Sequence, residues 1–165
     1  MKIHTLAASL LAATLLLSAC GKKEESASAA SANATSASAV ATLEFTANDS
    51  MKFNVTRVEV RAGQQVKVIL TNIGSMPKAA MGHNWVLLQR GSDVKAFADA
   101  AVGAAATDYI PAALQAQVIA HTKMLGPKQT DEITFTAPSE PGEYPFVCSF
   151  PAHYVAGMHG VLVVK

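Results

Sequence analysis

At 165 residues and a formal net charge of +1, with 15% charged and 50% hydrophobic side chains, the chain has room for one domain with a sizeable core. From Thr42 onward basic and acidic side chains number 10 each, so there is no electrostatic footprint for nucleic acid. Recognition of a partner by such a neutral domain must rest on apolar contact more than on long-range steering.

The chain opens with Met1-Lys2 and an apolar run from Leu6 to Leu17, too short to cross a bilayer comfortably, so residues 1–19 read as a secretory signal. Leu17-Ser18-Ala19-Cys20 matches the bacterial lipobox, in which small residues precede a cysteine that is lipidated and becomes the new N-terminus. Cys20 lies directly after the apolar run, which favours lipidation over a plain signal. Gly21 stands where an Asp often marks inner-membrane retention, so the outer membrane is favoured if the organism is Gram-negative. Residues 20–41 then form a tether: a charged spacer, Gly21 to Glu25, followed by Ser, Ala, Asn and Thr alone from Ser26 to Ala39. Such a segment buries too little to offset its ordering entropy. About 20 flexible residues reach on the order of 25 Å. The recurrent Ser residues argue against the competing Ala-rich helix.

From residue 42 to 165 the pattern is that of a β domain. Leu43 to Thr46 alternates, Asn48-Asp49-Ser50 reads as a turn, and Phe53 to Val60 continues the alternation. Ala62-Gly63 breaks the chain before a strand carrying Val66, Val68 and Leu70 on one face. Ile73 to Ala80 reads as a loop and His83 to Gln89 as a strand. A helical insertion is expected around residues 93–116, from the Ala-rich run and from Pro111 opening a second short helix. Strands return at Ile133 to Thr136, Tyr144 to Cys148 and Val161 to Val164. The expectation is an all-β Greek-key β-sandwich of seven to eight strands with one helical insertion.

The chemistry concentrates in Cys148-Ser149-Phe150-Pro151-Ala152-His153-Tyr154-Val155-Ala156-Gly157-Met158. Four residues separate Cys148 from His153, and four separate His153 from Met158. A thiolate, an imidazole and a thioether, completed by a second His, make the trigonal His2Cys set with a weak axial Met that suits an electron-transfer copper ion. His83, in Met81-Gly82-His83-Asn84-Trp85-Val86-Leu87, is the candidate for the second His.

These two segments, with Val118-Ile119-Ala120-His121-Thr122-Lys123 between them, resemble the copper-binding segments of azurin, a blue copper protein of the cupredoxin family. The resemblance runs from about Leu43 to Lys165. It implies one type 1 copper ion cycling between Cu(II) and Cu(I), held by His83, Cys148, His153 and Met158, with the Gly82 carbonyl as a weak axial neighbour. It also implies that Asn84 ties the two ligand loops together and that the Phe150 backbone N–H donates toward the Cys148 sulfur. Electrons would pass at the edge of His153, and Met76, Met81, Pro151, Ala152, Val155 and Ala156 would form an apolar docking patch around it.

Three departures from azurin stand out. With Cys20 lipidated and Cys148 on a metal, no intramolecular disulfide is left, whereas azurins usually have one. Azurins usually have three residues between the last His and Met; the four-and-four spacing here resembles auracyanins, blue copper proteins of some photosynthetic bacteria. Asn72 stands where many azurins bury a pH-sensitive His, leaving His121 and His159 as the remaining candidates for a pH effect, both expected at the surface.

The resemblance implies a monomeric one-electron carrier of the periplasm or cell envelope, anchored to a membrane through Cys20. Its partners would be c-type cytochromes or periplasmic reductases and oxidases. An enzyme is disfavoured: copper oxidases and nitrite reductases commonly carry a His adjacent to or one removed from the Cys, and Val147 and Ser149 flank Cys148 here. Copper delivery or buffering without electron transfer is the alternative, weakened because the six methionines are scattered.

Overall fold

The computed structural model describes residues 39–165. The signal, Cys20 and almost all of the tether therefore lie outside the described residues. Two sheets face each other. One has three strands in the order β1-β3-β6: β1 (Ala41–Ala47), β3 (Gln65–Asn72) and β6 (Thr130–Thr136). The other has five in the order β2-β8-β7-β4-β5: β2 (Arg57–Val60), β8 (His159–Val164), β7 (Gly142–Val147), β4 (Val86–Leu88) and β5 (Val118–His121). β1 runs parallel to β3 and β2 parallel to β8, so the chain crosses between sheets, as a sandwich requires.

Period-two burial explains the pairing. Val66, Val68 and Leu70 of β3 point inward at 0% exposure, while Gln65 faces solvent and Lys67, Ile69 and Thr71 are only half-buried. They meet Phe45 of β1, Trp85 just before β4, and the second sheet's Leu87, Phe146 and Leu162 in one core. Trp85, fully buried, lies 5.4 Å from the Phe146 ring centroid and 5.6 Å from that of Phe45, so the aromatic centre of the core sits directly behind His83 and Asn84.

Local boundaries differ from the sequence reading where tertiary pairing decides. Phe53 to Thr56 makes only one bridge, Phe53 with Ala47, before β2 begins. His83 precedes β4 and pairs alone with Leu125. A one-turn helix, α1 (Lys78–Met81), closes the loop before it. The helical insertion comprises α2 (Val94–Ala101) and short 3-10 helices at Ala105–Thr107 and Ala112–Gln117. Asp93 caps α2, its carboxylate accepting the Ala96 N–H at 3.0 Å. Phe97 and Ile110 of the insertion, with Val86, Leu88 and Val147, form a second small core on the outer face of the five-stranded sheet.

Candidate metal centre

Two chain segments converge at one end of the sandwich. His83 is fixed by a reciprocal backbone pair: its N–H donates to the Leu125 carbonyl at 3.1 Å, and Leu125 N–H donates to the His83 carbonyl at 2.7 Å. Gly82 before it is required by space, because a Cβ there would lie 2.8 Å from the Lys78 carbonyl oxygen and 2.9 Å from the Met124 sulfur. Cys148 leaves the end of β7, and its N–H donates to the Met158 carbonyl at 3.0 Å. Within the loop, His153 N–H donates to Phe150 O at 3.2 Å, and Met158 N–H donates to His153 O at 2.9 Å. Ala152 and Gly157 take positive φ values of 69° and 92° to make these turns, and the Lys52 ammonium donates to the Ala156 carbonyl.

The result is a knot of neutral donors. The donor atoms of His83, Cys148 and His153 lie within 4.8 Å of one another, all in buried residues. Cys148 Sγ is 3.3 Å from His153 Nδ1, and the two imidazole centroids are 4.8 Å apart. Met158, fully buried, closes the loop behind them. Burial pushes the Cys148 thiol up to about 12, opposed by the backbone N–H groups of Asn84 and Phe150, which donate to its sulfur. Burial, then the neighbouring His83, push His153 down to about 4. Burial likewise lowers His83, against the Asp49 carboxylate and the Asn48 carbonyl.

Neither ring nitrogen of the buried His83 makes a hydrogen bond of good geometry, the Asn48 carbonyl being the one backbone acceptor near enough to act on the ring. Buried polar atoms in native proteins are nearly always paired, so a buried ring that leaves a nitrogen unpaired beside a thiol calls for a further partner. Two neutral imidazoles and a thiol with a thioether residue close by fit a borderline-soft transition ion such as copper, and a hard oxygen-loving cation poorly.

Asn84 binds the two segments together. Its amide nitrogen donates to Ser149 Oγ at 2.8 Å and to the Asp108 carbonyl at 3.3 Å, and its carbonyl accepts the Ser149 N–H at 2.9 Å. Sequence reasoning singled out Asn84 and Phe150 but missed Ser149, Asp108 and Tyr109. The Tyr109 ring lies 5.0 Å from Phe150, which in turn lies 4.7 Å from His153. The residue directly after a ligand candidate was the available signal for Ser149; nothing local marks the other two.

The six candidate docking residues are all at least partly exposed: Val155 at 80%, Met76 at 40%, Ala152 exposed, and Met81, Pro151 and Ala156 half-buried. Asn72 is buried and satisfied, accepting Gly74 N–H at 2.9 Å and donating to Leu125 O at 3.4 Å. His121 and His159 are exposed, and His159 rests against Tyr154 at 5.2 Å.

Residues 39–165 match the copper-binding proteins of the plastocyanin/azurin family. The chain belongs to that family. Copper is accordingly its cofactor, in agreement with the donor set. It is 40% identical over 138 residues to an azurin of Achromobacter denitrificans, covering 82% of this chain and 90% of that protein. It is also 40% identical over 108 residues to outer membrane protein H.8 of Neisseria meningitidis serogroup B, covering 64% of this chain but only 58% of that protein. Among solved structures it is similar to the dithionite-reduced auracyanin of Roseiflexus castenholzii, at 37% identity and a TM-score of 0.67, covering 75% of this chain and 96% of that one. The family carries the azurin-like resemblance and the cupredoxin sandwich together, and auracyanin accompanies azurin among the relatives, in keeping with the four-and-four loop.

Proposed function

We propose that this chain is a membrane-anchored type 1 copper protein that carries single electrons between redox partners in the periplasm or cell envelope. The observation that carries the reading is the buried cluster of His83, Cys148 and His153, whose donor atoms all lie within 4.8 Å of one another. These three side chains would hold the ion, with the Met158 thioether and the Gly82 carbonyl as weaker donors. Copper supplies a one-electron Cu(II)/Cu(I) couple when bound.

The chain's own residues prepare the site. Backbone hydrogen bonds to Leu125 and within the Cys148–Met158 loop hold the segments that carry His83, Cys148, His153 and Met158. Phe150, buried and packed on the His153 ring, helps to exclude water from the site. The N–H groups of Asn84 and Phe150 stabilise a thiolate at Cys148 once its proton leaves. His153 is itself only 2% exposed, so an electron would pass through neighbouring side chains, and the partly exposed Met76, Met81, Pro151, Ala152, Val155 and Ala156 would supply the apolar area for docking. A c-type cytochrome or a periplasmic reductase or oxidase is the expected partner class. The lipobox at Cys20 and the name of the Neisseria relative support an envelope location.

The test is mixing of the reduced, copper-loaded domain (residues 42–165) with an oxidised c-type cytochrome. Rapid reversible exchange with the metal retained supports electron transfer. Slow exchange with copper lost to a chelator on reduction would support the delivery alternative. Lipidation is tested separately, by palmitate labelling of the full chain against Cys20→Ala.

A further inference from the structure

The helical insertion contains two consecutive non-glycine residues in the left-handed region, Asp108 at φ 52° and Tyr109 at φ 62°. One such residue is uncommon, and a bulky side chain there is an outlier that surrounding structure must hold in place. Here the support is explicit. Tyr109 N–H donates to Ala104 O at 2.9 Å, and Ile110 N–H donates to Thr107 O at 3.0 Å. The Thr107 hydroxyl lies within hydrogen-bond reach of the Ala104 and Ile110 carbonyls, at 3.0 and 2.7 Å, and its one proton serves either. The Asp108 carboxylate accepts Met124 N–H at 3.4 Å and pairs with Lys78 at 3.6 Å.

The two residues of this corner each touch a different arm of the metal centre. The Asp108 carbonyl accepts from the Asn84 amide, on the His83 segment. The Tyr109 ring packs on Phe150, on the Cys148 loop, with centroids 5.0 Å apart and planes at 58°. Phe150 packs on His153 at 4.7 Å and sends its N–H to the Cys148 sulfur. An unstrained turn would carry the carbonyl and the ring in other directions.

We infer that Tyr109 is a positioning residue for the metal centre, held by the strained Asp108-Tyr109 corner so that its ring locks Phe150 against His153 and keeps the Phe150 N–H aimed at the Cys148 sulfur. The inference rests on the copper reading above and deepens it by giving the helical insertion a part in tuning. A donor N–H at the sulfur draws density from the thiolate and favours the reduced ion; loosening Phe150 lowers the reduction potential.

The experiment uses Tyr109→Phe, Tyr109→Leu and Asp108→Gly. In metal-free protein, amide exchange at Phe150 should match the wild type in Tyr109→Phe. In Tyr109→Leu it should be about three- to tenfold faster, the loss expected of one aromatic pair. In copper-loaded protein the same variant should show a lower potential, with Tyr109→Phe unshifted. Asp108→Gly keeps the left-handed backbone but relaxes it; it should move both readouts the same way by less, and it decides the matter if Tyr109→Leu does not fold. Unchanged Phe150 exchange in the folded variants overturns the inference. Because exchange is read without metal, this result is separate from failure of the copper reading, which would show as wild-type protein that takes up no copper.

Discussion

Asn84 and Ser149 hold each other by two hydrogen bonds, amide nitrogen to hydroxyl at 2.8 Å and backbone N–H to amide oxygen at 2.9 Å, across 65 residues of sequence. Both residues are buried, so neither can turn to water if the other is lost. Asn84→Ala strands the Ser149 N–H and should cost about 1–3 kcal/mol of apo-protein stability. Thermal or urea unfolding of the metal-free domain measures it; a loss well under 0.5 kcal/mol, as at an ordinary surface site, would show that the pair does not hold the loops.

Stability of the metal-free domain should depend on pH at both ends. His153 falls from 6.5 to about 4 on folding, so between those values the unfolded chain binds more protons and stability drops as pH falls from 6.5 toward 4. The lowered His83 acts in the same direction. Cys148 rises from 9.0 to about 12, so the folded chain keeps a proton that the unfolded chain releases, and stability drops as pH rises from 9 toward 12. The unfolding midpoint should therefore be highest between about pH 6.5 and 9. Copper binding expels the thiol proton, so loading should abolish the alkaline decline. A midpoint that is flat from pH 4 to 7 contradicts this account.

Gly160 on β8 packs where no side chain fits: a Cβ would lie 2.3 Å from the Thr56 carbonyl oxygen and 2.4 Å from the Phe146 ring. Both neighbours are held by the sheet and core, so Gly160→Ala should cost about 1–3 kcal/mol. Denaturant unfolding against wild type reads the effect.

The sandwich was legible because alternation on strands such as Val66-Lys67-Val68-Ile69-Leu70 reports a buried face directly. The candidate ligands stood out because Cys, His and Met in one short loop have few uses together. What sequence could not show were contacts set by closure of distant segments. Pairing of Val86 with His121 and Val147, rather than propensity, fixes the start of β4, and His83 before it pairs alone with Leu125. Asp108 reaches Asn84 only because a strained turn brings the insertion back onto the site. No local pattern announces a left-handed Tyr109.

Val155, 80% exposed on the Cys148 loop, tests the proposed docking surface without entering the metal site. Val155→Lys should slow exchange with a protein partner by about tenfold or more, as loss of an apolar docking contact implies, while the visible spectrum stays that of the wild type. An unaltered exchange rate would place docking elsewhere; an altered spectrum would mean that the loop had moved.

The most direct measurement is the visible spectrum of the domain loaded with Cu(II), before and after a mild reductant, beside Cys148→Ser. If the Cys148 thiolate binds copper between His83 and His153, wild type shows an intense blue charge-transfer band that bleaches on reduction and returns on reoxidation, and the variant shows none. A pale or colourless wild-type product, or a blue band that survives Cys148→Ser, contradicts the account.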